Sequence, residues 1–254
     1  MFGRETNNEP SGLSNAAVAK LKNAMALENV GKFESALMLI EQTLLLQENY
    51  VDAWLLKGVI LGKLGKCFEA LKCYDRVIDL KPNYAEAWRL KGAVHGTLKA
   101  HDKATECFSK AIELDPRDTE VQLNLAASLQ KQKKFEDALK RYEEILKQKP
   151  DNPQIHYLIG ITLGNKGDCE KALNAFTQAL KLKPDFTNAL IGKGVFYAKL
   201  GRNDEAKQCA EKALETKTKS DKEKPSQTKS TNDAIRQQYE TAQRKLKGTY
   251  SPNP

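Results

Sequence analysis

The chain has 254 residues, of which 40% are hydrophobic, only 7% are aromatic and 29% are charged, and its net charge is +8. This length allows one large domain or two ordinary ones, with a core built mainly from aliphatic side chains. No uninterrupted apolar run is long enough to cross a bilayer and the polar start does not resemble a signal peptide, so we expect a soluble protein without a membrane span.

Residues 1–16 are polar and are predicted to be disordered. From residue 17 onward the sequence repeats with a period of 34 residues. Position 20 is alanine in every frame, position 8 is glycine or alanine, and position 24 is large and apolar in the first five frames. Proline stands at position 32 of the four inner frames. The six frames are 17–50, 51–84, 85–118, 119–152, 153–186 and 187–218.

Each frame predicts two helices joined by a turn. Small residues such as Gly58 and Ala70 would allow the helices to approach closely, and Tyr74 would fill the space beside them. Gly65 lies at the predicted turn, where it would end the first helix. Pro82 would close the second helix and open the next frame.

This pattern resembles the tetratricopeptide repeat, a helix–turn–helix unit of 34 residues. The resemblance covers residues 17–218 and implies an all-α fold, a right-handed superhelical α-solenoid of about six repeats. The outer frames depart from the pattern, for example with Lys20 in place of the tryptophan at 54 and 88, and with Ala210 at position 24. Terminal repeats are expected to differ because one side of each has no neighbour.

The resemblance also implies a concave groove lined by the first helices, at positions 2, 5, 9, 12 and 13. Positions 5 and 9 are mainly apolar here, position 13 adds lysines, and glycines at position 12 (Gly62, Gly96 and Gly164) would leave room for an incoming chain. We therefore expect a peptide or helix of a partner protein with apolar and some acidic side chains. The candidate groove residues are Leu21, Met25, Leu55, Val59, Lys63, Arg89, Leu123, Lys131, Tyr157, Ile161, Ile191, Val195 and Lys199.

The alternative is that these apolar residues pack between neighbouring helices and belong to the core. Leu55, Leu123 and Tyr157 fit that alternative least well, because large exposed apolar side chains usually mark interaction sites.

No residue pattern indicates catalysis, a cofactor or a small-molecule substrate, so we expect a protein that is not an enzyme. His95 and His156 stand at packing positions and His101 at a turn, without metal-ligand partners at a suitable spacing. The five cysteines form no CxxC pair, which favours a reducing, cytoplasmic location. The thiols of Cys67 and Cys169, at turns, are expected to be more reactive than those of Cys73, Cys107 and Cys209.

The end of the chain differs from the repeats. Residues 219–231 are predicted to be a flexible, lysine-rich linker, 232–248 an amphipathic helix, and 249–254 disordered. The apolar stripe of this helix consists of Ile235, Tyr239, Ala242 and Leu246. The helix could cap the last repeat, remain mobile until a partner binds, or occupy the chain's own groove.

We therefore expect a non-catalytic protein–protein interaction scaffold. The alternative is an RNA-binding helical repeat protein that uses its basic tail. Nucleic acid is the less favoured partner, because the candidate groove is apolar and the acidic residues Asp52, Glu86 and Glu120 line one edge. The sequence names neither the partner nor the oligomeric state.

Overall fold

A computed structural model describes residues 14–222, which fold into twelve α-helices without a strand. Described in chain order, the helices are α1 (Asn15–Asn29), α2 (Phe33–Leu46), α3 (Val51–Lys63), α4 (Cys67–Leu80), α5 (Ala85–Thr97), α6 (His101–Leu114), α7 (Thr119–Lys131), α8 (Phe135–Gln148), α9 (Pro153–Lys166), α10 (Cys169–Leu182), α11 (Thr187–Lys199) and α12 (Asn203–Lys222). Each predicted frame supplies one first helix (odd-numbered) and one second helix (even-numbered). The all-α repeat fold expected from the sequence is confirmed.

The helices group into two compact units. Unit 1 extends to Gln132 and contains α1–α7, and unit 2 begins at Lys133 and contains α8–α12. Within each unit, first and second helices of a repeat pack as hairpins, and each second helix also packs against the next first helix. No described helix in either unit combines the length and apolar character that crossing a membrane requires.

In three of the hairpins an aromatic ring of the second helix packs against a glycine of the first helix. A Cβ atom added to Gly58 would lie 2.6 Å from the Tyr74 ring, and one added to Gly160 would lie 2.7 Å from the Phe176 ring. Such distances are too short for real contacts, so a larger residue at Gly58 or Gly160 would displace the ring as it is placed here. Position 8 nonetheless accepts alanine elsewhere, since Ala126 stands there in the repeat that has Tyr142 at position 24.

The turn within each repeat depends on a left-handed residue at position 15. Gly65 has φ +74° and Gly167 has φ +107° at this position. Lys99 and Lys133 adopt the same conformation with φ of 57° and 60°, although they carry a side chain. Left-handed backbone is unfavourable for residues other than glycine, so these two turns are strained.

Successive repeats are joined by a side chain at position 4. The indole Nε1 of Trp88 donates a hydrogen bond to the Pro82 carbonyl oxygen at 3.0 Å. Gln122 occupies the same position in the next repeat, and its Nε2 donates to the Pro116 carbonyl oxygen at 2.7 Å. Both side chains therefore satisfy a carbonyl group just beyond the preceding second helix, which explains how glutamine can replace tryptophan here.

The predicted boundaries differ from the helices at both ends. Helix α1 begins at Asn15, two residues before the first frame, and α12 continues to Lys222, four residues into the predicted linker 219–231. No glycine or proline interrupts the sequence between Asn203 and Lys222, so nothing forces this helix to end earlier. The predicted amphipathic helix 232–248 and the chain termini predicted to be disordered lie outside the described residues, apart from residues 14–16.

Candidate partner-binding surface

The first helices lie side by side within each unit. In unit 1, α1 contacts α3, α3 contacts α5 and α5 contacts α7, and in unit 2, α9 contacts α11. Positions 2, 5, 9, 12 and 13 of these helices are called the first-helix face of unit 1 and the first-helix face of unit 2. Nearly all the candidate groove residues are at least partly exposed on these faces.

The apolar candidates of unit 1 differ in exposure. Met25 is 50% exposed, whereas Leu55, Val59 and Leu123 are half-buried. Leu21 is only 5% exposed and belongs to the core between α1, α2 and α3. For Leu21 the packing alternative therefore holds, and this residue cannot contribute contact area to a partner.

Arg89, expected to be a groove cation, is already paired. Its Nη2 and Nε donate to the two carboxylate oxygens of Glu86 at 2.6 and 2.7 Å, and its Nη1 donates to Glu120 at 2.8 Å. The hydrogen bonds that Arg89 donates to Glu86 raise the pKa of its guanidinium. Arg89 connects α5 to α7, and its charge is more than offset by the two carboxylates, so it offers a partner no free cation.

The lysines expected along one edge have different surroundings. Lys63 forms an ion pair with Glu28 that connects α3 to α1. The ammonium group of Lys199 lies 4.7 Å from the centre of the Phe196 ring, within cation–π distance. Lys131 is exposed in the last turn of α7. The cationic edge expected from the sequence is therefore reduced in unit 1 by internal pairing.

The glycines at position 12 leave room in unit 1 alone. Within residues 14–222, no neighbouring heavy atom lies within 4 Å of a Cβ atom added to Gly62 or Gly96. The corresponding place beside Gly164 in unit 2 is filled by the ring of Phe196. The expectation of room at Gly164 is therefore wrong. The cause is position 10 of the next first helix, which is phenylalanine here. The smaller residues Val94 and Ser128 stand at this position in α5 and α7, the helices that follow Gly62 and Gly96.

The first-helix face of unit 2 is partly an aromatic core. The ring centres of Tyr157 and Phe186 are 5.3 Å apart, those of Tyr157 and Phe176 are 5.9 Å apart, and those of Phe176 and Phe196 are 5.7 Å apart. Burial raises the pKa of the Tyr157 hydroxyl. Tyr157 and Ile161 both pack against this cluster, whereas Ile191 and Val195 are half-buried. Much of the surface of the Tyr157 and Ile161 side chains is therefore packed against the core, as the packing alternative expects.

A second apolar surface in unit 1 was missed by the sequence analysis. Met38, Leu45 and Phe68 are 59%, 87% and 73% exposed on the second helices α2 and α4. At each of these three register positions, the other five repeats have only charged or amide residues. Comparing the outward positions of the second helices across the repeats would have revealed this surface.

Several titratable side chains of the described residues lie in the core. Between residues 14 and 222, no group of three histidine, cysteine or acidic side chains could hold a metal ion. His95 is 9% exposed, and burial lowers its pKa. The five cysteines are unpaired thiols, and burial raises the pKa of Cys73 and Cys107 to about 11. His95, Cys73 and Cys107 therefore occupy packing positions, as their places in the 34-residue repeat predict.

The sequence matches models of known helical repeat families. The model of the cytochrome c-type biogenesis protein H TPR domain matches residues 78–190. Two further tetratricopeptide repeat models match residues 166–223 and 51–84. No curated protein sequence is significantly similar to the chain.

Several solved structures share the fold. MamA from Desulfovibrio magneticus RS-1, residues 41 to the end, is 20% identical with a TM-score of 0.64, and the match covers 69% of this chain and 99% of MamA. PilW, a widely conserved type IV pilus biogenesis factor, is 21% identical with a TM-score of 0.64 and coverage of 78% and 91%. YrrB, described as a TPR protein with an unusual peptide-binding site, is 20% identical with a TM-score of 0.58 and coverage of 70% and 91%. At these identities the similarity establishes the fold alone.

Proposed function

Because the chain belongs to the tetratricopeptide repeat family, we propose that it is a non-catalytic scaffold that binds a peptide or helix of a partner protein on the first-helix face of unit 1. Stacked helical repeats create extended surfaces rather than chemical sites, and proteins of this architecture use such surfaces for binding. The peptide-binding site named for YrrB belongs to that protein, and it agrees with the kind of ligand proposed here.

The observation that carries the proposal is the open space beside Gly62 and Gly96. A Cβ atom could be added at each of these places without displacing a neighbour, since no atom of another described residue lies within 4 Å of it apart from the helix's own backbone. Leu55 and Val59 lie on the same helix as Gly62 and are half-buried, so a partner could cover the rest of their surface. Burying a fully exposed large aliphatic side chain is worth about 1.5–3 kcal/mol, so covering the remaining surface of Leu55 or Val59 contributes a fraction of that.

The charges on this face narrow the expected partner chemistry. Lys63 and Arg89 are paired with Glu28, Glu86 and Glu120, so an acidic partner segment would have to compete with carboxylates already in place. We therefore propose a mainly apolar partner segment for unit 1, with acidic residues placed only near Lys131. This is narrower than the apolar and acidic segment expected from the sequence.

The experiment is a pull-down from nuclease-treated lysate, read by mass spectrometry. The native chain is compared with a Gly62→Leu/Gly96→Leu variant, whose added side chains fill the open space. A matched control, Leu45→Glu/Phe68→Glu, changes the exposed second-helix surface instead. Circular dichroism confirms that the variants keep the helical content of the native chain.

The proposal predicts a partner that the native chain and the control retain and the glycine variant loses. Equal retention by all three proteins would contradict it. If only the control variant lost the partner, the binding surface would instead be the one formed by Met38, Leu45 and Phe68. A parallel pull-down from untreated lysate tests the RNA-binding alternative, which a partner captured only without nuclease would favour.

A further inference from the structure

We infer that residues 232–248 of one copy of the chain bind the second-helix surface of unit 1 on a second copy. That surface consists of Met38 and Leu45 of α2 and Phe68 of α4, all of which are more than half exposed. The other repeats place charged or amide side chains at these register positions. A single exposed apolar residue is common, but three on the second helices of two successive repeats indicate a contact surface.

The two helices that carry this surface pack on one core. Leu37 of α2 lies against the cluster that contains Ala70 and Cys73 of α4. Met38 and Leu45 are seven residues apart in the sequence, which is about two turns or 10 Å along α2, so they lie on one face of that helix. A partner helix that lies along α2 can therefore cover both residues with side chains that are seven apart in its own sequence.

The charge around this surface favours a basic partner. Helix α2 contains Glu34 and Glu41 and neither lysine nor arginine, whereas every other second helix contains at least one of these cations. Helix α4 has three acidic and two basic residues, so α2 and α4 together carry a net charge of −3. Because like charges across an interface repel, the same surface of a second copy, nucleic acid and an anionic membrane are all disfavoured here.

Residues 232–248 have the complementary chemistry. The segment has four basic and two acidic residues and therefore a net charge of +2. Its predicted apolar stripe contains two pairs of residues that are seven apart, Ile235 with Ala242 and Tyr239 with Leu246. This spacing matches that of the two apolar residues on α2. In a helix with 3.6 residues per turn, Arg236 and Lys245 flank the stripe on opposite sides, where they can pair with the acidic residues of α2.

We assign the segment to a second copy rather than to the same chain. Repeats 3 to 6 lie between α4 and the segment in the sequence, and residues 223–231 alone connect it to α12. A connection of this length extends at most about 30 Å. Between two copies no such tether limits the approach. Each copy offers one segment and one surface, so two copies can exchange their segments.

The test is analytical ultracentrifugation of the full chain over a wide range of concentrations. The native chain should self-associate. A surface variant, Leu45→Glu/Phe68→Glu, and a segment variant, Ile235→Asp/Leu246→Asp, should each raise the dissociation constant by about tenfold or more, because each places carboxylates in the apolar contact. Thermal unfolding followed by circular dichroism checks that the repeats of both variants remain folded.

Two matched controls add the same charge outside the proposed contact. Asn174→Glu/Gln208→Glu changes exposed residues at the register position of Met38 on α10 and α12. Gln237→Asp/Thr241→Asp changes the side of the segment away from its apolar stripe. Both controls should associate as the native chain does, because neither removes an apolar contact.

A mixture of the surface variant and the segment variant tests the exchange directly. The surface variant retains an intact segment, and the segment variant retains an intact surface. We therefore expect mixed complexes to form although neither variant associates alone. Labelling one of the two variants with a fluorophore detects these complexes in the ultracentrifuge.

Four results would overturn the inference. A native chain that remains monomeric at every concentration would exclude a second copy as the binding partner. Association that survives in the segment variant would mean that other parts of the chain hold the copies together. Association that survives in the surface variant would place the segment on a different surface, and a mixture without mixed complexes would rule out the exchange. Because these experiments use the chain alone, none of the results bears on the partner-binding proposal for unit 1.

Discussion

The ring of Phe196 in α11 packs directly against Gly164 in α9. Gly62 and Gly96 occupy the same register position in α3 and α5, yet no described residue fills the equivalent space beside them. One residue type at one repeated position therefore has two roles. In unit 2 it permits helix packing, and in unit 1 it leaves room that we assign to a partner.

This difference predicts opposite effects of one substitution. Gly164→Leu should lower the free energy of unfolding by about 1–3 kcal/mol, because the new side chain would collide with Phe196. Gly62→Leu should leave stability unchanged or raise it by up to about 1 kcal/mol, because leucine has the higher helix propensity. Urea unfolding followed by circular dichroism measures both. Equal destabilisation by the two substitutions would show that the space beside Gly62 is not open.

The strained turns predict stabilising substitutions. Lys99→Gly and Lys133→Gly should each raise the free energy of unfolding by about 1 kcal/mol, because glycine adopts positive φ without steric cost. The gain is partly offset by the greater freedom of glycine in the unfolded chain. Gly65→Lys is the reciprocal control and should destabilise by a similar amount. A loss of stability in both glycine variants would mean that the lysine side chains make contacts worth more than the strain.

The cysteines predict a pattern of alkylation. Cys67 and Cys169, the first residues of α4 and α10, are half-buried, whereas Cys73 and Cys107 are buried. With a pKa near 11, the two buried thiols remain protonated at pH 8 and should react only when the protein unfolds. Iodoacetamide labelling with peptide mass spectrometry should therefore modify Cys67 and Cys169 first. Early labelling of Cys73 would contradict the packing described here.

The same two thiols predict a pH dependence of stability. Their folded pKa of about 11 exceeds the ordinary value of 9.0, so the unfolded chain loses these protons at a lower pH. Their contribution to stability is full below pH 9 and is lost progressively as the pH rises toward about 11. A Cys73→Ala/Cys107→Ala variant should show a shallower decline over this range in urea unfolding. If the free energy of unfolding declined equally with pH in the native chain and in the variant, the two thiols would not be the cause of the decline.

The pairing of Arg89 predicts a small effect on binding. Arg89→Gln should weaken partner binding less than twofold, because Glu86 and Glu120 already offset the guanidinium charge. The variant should lose no more than about 1 kcal/mol of stability, as is typical of partly exposed ion pairs. Isothermal titration with the partner identified by pull-down measures the first effect. A tenfold loss of affinity would instead make Arg89 a direct contact, as the sequence analysis expected.

The fold could be predicted from the sequence because its constraints are local and repeated. Ala70 and Gly58 recur at a fixed spacing since each hairpin needs the same close approach, and six copies make the pattern clear. The charges of the face could not be predicted in the same way. Whether Arg89 is free depends on Glu86 and Glu120, and Glu120 comes from another repeat.

Two errors at the candidate site have the same physical origin. Gly164 was expected to be open, but Phe196, 32 residues later, fills the space beside it. Leu21 was expected on the groove and is instead buried among residues of α2 and α3. In both cases the deciding contact lies on a neighbouring helix whose distance and side-chain direction are not encoded in the 34-residue register.

The central claim is that a partner segment occupies the space beside Gly62 and Gly96. The most direct measurement is the dissociation constant of the identified partner segment for the native chain and for the Gly62→Leu/Gly96→Leu variant. Blocking this space should weaken binding by about tenfold or more, since about 1.4 kcal/mol of lost contact suffices for that factor. An unchanged dissociation constant in a variant with native stability would contradict the assignment of this surface.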